Sequence, residues 1–371
     1  MNVRHRIAQI ARKIVILSIP SAIVCLLLGE VVCRYVIRAS SMPYSTIDSG
    51  PERVFRFDTT HGLRDGVFTV GLFAEQQARW HINNAGWASD IDYLPPDQRT
   101  RPLIAIIGDS FIEGFSVDPN ENLGARLRRT LAGRADVYTF GKSGAAMSEY
   151  LAMARYVRRI YKPQVIIVNI VHNDLHESVR NVVAAPEFTQ LTEKNGSFEE
   201  APPLRDYGVT RSRRLLRASA LLRYLVVNLH AMESVNTLRY RLQKREANAN
   251  VYIDLVTGNR HVSTRATHYL AHKFAEENRD MTLIFMMDAP RDDIYKGHIQ
   301  TSNVRWMNEA VRAAAAANGI TFVDLTGPMT AEYDRSGVKF NSEVDHHWNA
   351  EGHRIAADAL YRAITTVTPL R

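Results

Sequence analysis

Apolar positions along this chain follow two rhythms. One is a short continuous run of four to six residues ending at a glycine or a polar residue. The other is a longer stretch with apolar positions three and four apart. "LIAII" (Leu103–Ile107) is the first short run, and it stops at Gly108. "DVYTF" (Asp136–Phe140), "QVIIVNIV" (Gln164–Val171), "TLIFMMD" (Thr282–Asp288) and "ITFVDL" (Ile320–Leu325) repeat the pattern. Runs apolar on both faces suit strands buried inside a parallel sheet. Between them lie stretches with helical spacing: "NLGARLRRTLAG", "SEYLAMARYVRRIY" with Ser148 as its expected cap, "ATHYLAHKFAEENR" and "RWMNEAVRAAAAANG". A last helix is expected over about 350–364, with Asn349 as its cap. Strands alternating with helices predict an α/β fold, a three-layer α/β/α arrangement around a mainly parallel sheet. In such sheets the functional crevice lies at the carboxyl ends of the strands.

Two segments depart from this alternation. From Met42 to about Thr100 the pattern reads as irregular structure with short strands. From about 176 to 264, proline-containing loops ("AAPEF", "EEAPPL") precede helical segments around "LLRASALLRYLVVNLHAM" and "VNTLRYRLQKREAN". This second segment is expected to be an insertion that covers or walls the site. "RSRRLLRAS" (Arg211–Ser219) within it reads as a helix start, because apolar residues separate its charges.

The N-terminus differs from everything after it. Arg4, Arg6, Arg12 and Lys13 make a basic flank without an acid, and Ile14–Gly29 carries no charge at all. Continued through Val32 and Cys33, the segment reaches the roughly 20 residues needed to cross a bilayer. Glu30 then falls near the outer interface, with Arg34 as an i,i+4 partner. A cleaved signal peptide has the same outline, but "IRASS" (Ile37–Ser41) is a poor cleavage site, so a retained single-pass anchor is favoured. Val24 before Cys25 also argues against a lipoprotein site. The basic flank keeps this end in the cytoplasm and exports the body. In a bacterium the anchor then lies in the inner membrane and the body in the periplasm. The organisation expected is a basic tail and transmembrane anchor over 1–38, a lead-in segment over 39–100 packed on the main domain, and that domain over 101–371, with the insertion at about 176–264.

Composition narrows the chemistry. The chain has 371 residues with a formal net charge of +7, and no long Lys/Arg run interleaved with aromatics. Nucleic acid is therefore not an expected partner. Both cysteines, Cys25 and Cys33, lie in the anchor, so the body has no disulfide, no thiol nucleophile and no cysteine-based zinc site.

Polar groups collect where the strands end. "GDSFIEG" (Gly108–Gly114) places Ser110 at the turn after the first buried strand. "FGKSG" places Gly144 after the second, where a glycine lets a main-chain N–H approach a ligand closely. "VHND" places Asn173, with its side-chain donors, after the third. Each alone is an ordinary turn. "VDHHWNAEGHR" (Val344–Arg354) then supplies what a serine hydroxyl needs, a base and a group to orient it. In an extended loop, residues two apart face the same way, which pairs Asp345 with His347 and turns His346 elsewhere. A metal centre built from "HNDLH" (His172–His176) and this stretch is the alternative, but it leaves Ser110, Gly144 and Asn173 without a role. No cofactor is expected. His353 is read as a helix-face residue packed on the sheet.

Taken together and in order, "GDSFIEG", "FGKSG", "VHND" and "DHHWNAEGH" resemble the four blocks of the SGNH/GDSL hydrolases. "HINNAGWASDIDY" upstream resembles the lead-in of bacterial membrane-anchored members. The resemblance implies Ser110 as nucleophile, His347 as general base and Asp345 as its orienting acid. It implies an oxyanion hole made of the Ser110 and Gly144 main-chain N–H groups and the Asn173 side chain. Two departures stand out. Val171 occupies the usual glycine position two before Asn173, and the acid and base are spaced Asp-x-His instead of Asp-x-x-His. The shorter spacing is found in SGNH-like enzymes acting on polysaccharides. The expected activity is an exported serine esterase acting on acyl, especially acetyl, esters of a glycan or similar small ester. An O-acyltransferase with the same triad and an inactive membrane-tethered scaffold are the alternatives. Four retained blocks favour an enzyme.

Overall fold

The computed structural model describes residues 3–204, 210–229, 246–341 and 344–367. The chain opens with a helix, Val3–Val31, followed by a π-helical turn, Val32–Val36. Within it, Val15–Val36 has a mean hydropathy of 2.4 and is not buried by the rest of the protein. Among the described residues it is the one helix long and apolar enough to cross a membrane. The expected Glu30–Arg34 pair forms, with Nε to Oε1 at 3.1 Å.

The lead-in segment contains two antiparallel hairpins: Ser45–Ile47 (β1) with Phe55–Phe57 (β2), and Asp65–Val70 (β3) with Gln76–His81 (β4). Their aromatic residues reach the body. Phe57 and Trp80 stack on Phe115, just beyond the "GDSFIEG" turn, at 5.6 and 5.7 Å between centroids. Trp87, fully buried, meets Phe140 edge-on at 5.3 Å.

The five apolar runs become five parallel strands: Leu103–Gly108 (β5), Asp136–Gly141 (β6), Val165–Ile170 (β7), Thr282–Met287 (β12) and Thr321–Asp324 (β13). Their order across the sheet is β13-β12-β7-β5-β6. The chain thus starts inside the sheet, adds one strand on one side, then crosses back and builds outward on the other. Period-two alternation sends successive residues of each strand into different cores. From β5, Leu103, Ala105 and Ile107 join the core that includes Leu151, Phe274 and Met307. Ile104 and Ile106 join the core of Leu127, Trp348 and Leu360. Helices Met147–Tyr161, Arg260–Glu277 and Arg305–Ala317 cover the first face. Leu123–Leu131 and Ala350–Val367 cover the second. The three-layer α/β/α fold is the one the alternation predicts.

Two local expectations change. Ser148 is not a helix cap. The helix begins at Met147 after Ala146, and Ser148 is buried with its hydroxyl donating to the Thr189 carbonyl at 2.9 Å. A tertiary acceptor outcompetes the local one. His353 is a buried residue of the last helix, and the Leu123 N–H donates to its Nδ1 at 3.2 Å. The insertion is not only loops and helices. Gln190–Lys194 (β8) and Ser197–Ala201 (β9) form a hairpin around Asn195–Gly196, both with positive φ. Asn-Gly in that conformation matches the twist of a two-residue hairpin. The expected helix around "RSRRLLRAS" is present as Arg211–Ala218, capped by Thr210. The helix expected over 235–248 lies mostly outside the described residues, and Ala247–Asn248 pairs instead with Val251–Tyr252 (β10 and β11). The last helix extends to Val367, and Asn349 caps it, its Oδ1 accepting from the N–H groups of Glu351 and Gly352 at 3.0 and 3.1 Å.

Candidate active site

Ser110 opens the short helix Ser110–Glu113 at the carboxyl end of β5. The turn is fixed by Asp109, whose carboxylate accepts from the Phe111 N–H at 3.0 Å. Two close approaches require glycine here. A side chain at Gly108 would lie 2.4 Å from the Ile112 side chain, and one at Gly141 would lie 2.0 Å from the Glu113 nitrogen. The Ser110 turn therefore sits flat against the end of the neighbouring strand.

From 237 residues away in sequence, His347 Nε2 meets the Ser110 hydroxyl at 2.7 Å. Its Nδ1 meets Asp345 Oδ1 at 2.6 Å. Serine, histidine and aspartate thus form one continuous hydrogen-bonded chain. With Nδ1–H donating to the carboxylate, Nε2 is the acceptor for the serine proton. The shortened Asp-x-His spacing is compatible with this contact because Asp345 folds back on the backbone. The His347 N–H donates to the same Oδ1 at 3.1 Å. The second carboxylate oxygen accepts from the Ser116 hydroxyl at 2.5 Å. Ser116 belongs to the loop after the nucleophile helix and had no signal of its own in the sequence. Its partner lies 229 residues away.

Electrostatics follow from these contacts. Burial alone would push the Asp345 carboxyl up, but the His347 charge and its hydrogen bonds hold it well below the usual carboxylate range. Burial alone would push the His347 imidazole down, and Asp345 overrides it, leaving the imidazole raised above its ordinary value near 6.5. Phe111 lies against the His347 ring at 5.1 Å and meets Trp348 edge-on at 5.1 Å. Trp348 is in turn pinned by its indole N–H, which donates to Asp288 at 2.9 Å. Trp348 and Asp288 were not singled out in the sequence, although the tryptophan directly follows His347.

His346 is exposed and its ring stacks on that of His347 at 4.5 Å. One donor atom each from Asp345, His346 and His347 fits within 4.8 Å, a spacing a metal ion could use. Both His347 nitrogens are already engaged by Asp345 and Ser110, so ligation there would break the chain. His172, the other candidate ligand, is buried and bonds Asn308 at 2.9 Å. His176 is buried as well, and its pKa is pushed down to about 4 by burial.

Gly144 and Asn173 stand beyond the ends of β6 and β7, the two strands that flank β5. Gly144 is exposed with φ +82°, a left-handed turn conformation that favours glycine. The turn before it is built on a buried ion pair. Glu113, the last residue of the nucleophile helix, accepts from the Ser143 N–H at 2.7 Å and the Ser143 hydroxyl at 2.8 Å. It also meets Lys142 Nζ at 3.3 Å. Lys142 in turn lies 3.9 Å over the Phe57 ring of the lead-in.

Asn173 donates one amide N–H to Glu177 at 2.9 Å, and the second hydrogen of the same group remains for another acceptor. Val171, in the place of the usual glycine, fills the second core, and its N–H donates to Asp174 Oδ2 at 2.8 Å. Asp174 also accepts from the Tyr150 hydroxyl at 3.0 Å. Burial pushes Glu177 up to about 7 and Asp109 up to about 6, and burial together with the Asp109 charge raises Asp174 well above its ordinary range. A carboxyl cluster thus stands behind Asn173.

No curated protein sequence matches the chain. Solved structures cover most of it at low identity. A lipolytic protein of the G-D-S-L family from Veillonella parvula DSM 2008 shares 13% identity, with 71% of this chain and 99% of that one covered and a TM-score of 0.39. The lipase Lip_vut3 from a goat rumen metagenome shares 13%, covering 71% and 97% with a TM-score of 0.41. A lipase/acylhydrolase from Enterococcus faecalis shares 12%, covering 73% and 98% with a TM-score of 0.38. The GDSL-like lipase/acylhydrolase family model matches residues 106–355, a span that takes in Ser110, Gly144, Asn173, Asp345 and His347. By that match over more than half its length, the chain belongs to the GDSL-like lipase/acylhydrolase family of hydrolases.

Proposed function

We propose that this protein is a membrane-anchored, exported serine esterase that removes acyl groups, acetyl above all, from a glycan or similar small ester. The observation that carries the catalytic reading is the unbroken Ser110–His347–Asp345 chain. Ser110 Oγ attacks the acyl carbon as its proton passes to His347 Nε2. Asp345 stays ionised and stabilises the imidazolium. The oxyanion is received by the Ser110 and Gly144 main-chain N–H groups and the remaining Asn173 amide hydrogen. His347 then returns the proton to the leaving alkoxide, which departs as the alcohol. Water, deprotonated by His347, releases the acid and restores Ser110. The same acyl-serine attacked by a sugar hydroxyl makes the protein an O-acyltransferase. The glycan substrate is supported by the short acid–base spacing and by export. Export is supported by the apolar Val15–Val36 helix behind a basic flank.

The test is hydrolysis of p-nitrophenyl acetate together with labelling by a fluorophosphonate. Wild-type protein is expected to turn over and label, and Ser110→Ala to do neither. Persistent labelling of Ser110→Ala overturns the nucleophile assignment. An inert wild type returns the protein to the scaffold reading. Acetyl release with a sugar acceptor present, compared with water alone, separates transferase from esterase.

A further inference from the structure

Three segments far apart in sequence meet at the outer end of the apolar N-terminal helix. The first is the end of that helix. Glu30 accepts from the Ser219 hydroxyl at 2.8 Å and from the Ala220 and Leu221 N–H groups at 2.9 and 3.0 Å. Arg34 donates to the Ala218 carbonyl at 2.7 Å. The second is therefore the insertion helix region, Arg211–Asn228, whose Ala220 and Tyr224 pack on Cys33. The third is the tip of the β3–β4 hairpin. The Gly71 N–H donates to the Asn228 carbonyl at 2.9 Å, and the Tyr224 hydroxyl to the Leu72 carbonyl at 2.8 Å.

These bonds leave a particular set of side chains facing outward. Phe73 is 78% exposed and Leu72 52%, and beside them Leu225 and Val226 are 40% and 37% exposed. Arg211 and Arg214 are exposed on the adjoining helix. Large apolar groups grouped on one exposed face mark an interaction surface. One observation names its occupant: the face is continuous with the helix that is apolar enough to cross a bilayer. Its charged neighbours carry both signs, Arg211 and Arg214 on the adjoining helix and Glu75 at the hairpin tip, whose carboxylate accepts from the Phe73 N–H at 3.0 Å.

We propose that this face rests on the surface of the same membrane that Val15–Val36 crosses, with Leu72, Phe73, Leu225 and Val226 in the interfacial layer and Arg211 and Arg214 against anionic phospholipid headgroups. The proposal rests on the anchor reading of the proposed function. Apolar insertion combined with cationic contact is the usual two-part basis of interfacial binding. The bonds to Glu30 and Arg34 already hold the domain against the end of the span. A second contact fixes its orientation over the bilayer.

The experiment uses the full chain with Cys25→Ala and Cys33→Ala. Single cysteines replace Leu27, Phe73, Val226 or Glu276, and each carries a bimane. The proteins are reconstituted into vesicles containing chain-brominated lipid, which quenches buried fluorophores. Quenching at 73 and 226 is expected to exceed that at 276 by about threefold or more, as for groups in the interfacial layer. Adding phosphatidylglycerol to phosphatidylcholine is expected to deepen it, and Arg211→Gln with Arg214→Gln to remove that increment. If position 27 is quenched but 73 and 226 match 276, the docking proposal fails while the anchor stands. If 27 is unquenched, the anchor reading fails, and docking with it. Disulfide formation between copies at 73, without quenching, makes a second copy the occupant and overturns the proposal.

Discussion

Two sets of buried and half-buried carboxyl groups flank Ser110, and the protein holds them in opposite states. Asp345, behind the base, receives the His347 ring, the His347 N–H and the Ser116 hydroxyl, and it stays ionised. Glu177, behind Asn173, receives one amide N–H, and its pKa is pushed up to about 7. Burial is common to both. The number of donors and the presence of a cation decide the outcome. On the proposed roles, His347 would have a permanent counter-charge, and Asn173 would have behind it an acid that stays protonated until near neutrality and so would not oppose a negative charge forming there.

The largest expected break in this contrast is removal of the base. His347→Ala is expected to lower kcat/KM for p-nitrophenyl acetate by about a thousandfold or more. His346→Ala, which leaves the hydrogen-bonded chain intact, is expected to cost only a few-fold. Equal losses in the two variants would contradict the assigned base. Next is Asp345→Asn, expected to cost about a hundredfold to ten-thousandfold through loss of tautomer and counter-charge. It also carries a pH signature. A raised imidazole pKa makes wild-type kcat/KM climb with pH through an inflection above 6.5, as the imidazole becomes neutral and able to accept a proton. Removing the Asp345 charge is expected to move that inflection down, read from a full pH–rate profile.

Glu177→Gln sharpens the other side. As pH rises past about 7 the wild-type carboxyl ionises and places a charge behind the oxyanion donor. A modest fall in kcat/KM on the alkaline side is expected, and Glu177→Gln is expected to abolish it while leaving the acidic limb in place. An unchanged alkaline limb would separate Glu177 from the oxyanion side. Smallest is Ser116→Ala, which removes one of the donors to Asp345. A loss of about 1 kcal/mol, roughly fivefold in kcat/KM, is expected for a single hydrogen bond.

Much of this arrangement was legible in the sequence because it is written locally. Each buried strand is a continuous apolar run, and each candidate site residue stands a few positions past the end of one, or in the dense Asp345–Trp348 stretch. What was not legible depends on contacts between distant segments. Ser148 looks like a cap until Thr189 supplies a better acceptor. Ser116 looks like any loop serine until the fold brings Asp345 to it. Glu177 and Asp109 look like ordinary acids, because burial is a property of the whole packing and not of their neighbours in the chain. The β8–β9 hairpin is a different kind of miss. Its Asn195–Gly196 turn was a local signal, masked by the surrounding prolines and charges.

Glu113 sits on the same four-residue helix as Ser110, and it grips Ser143, next to Gly144. On the proposed reading, the attacking atom and the turn that would receive the developing negative charge are held by one four-residue helix. A displacement of that helix would carry Ser110 and the turn before Gly144 together.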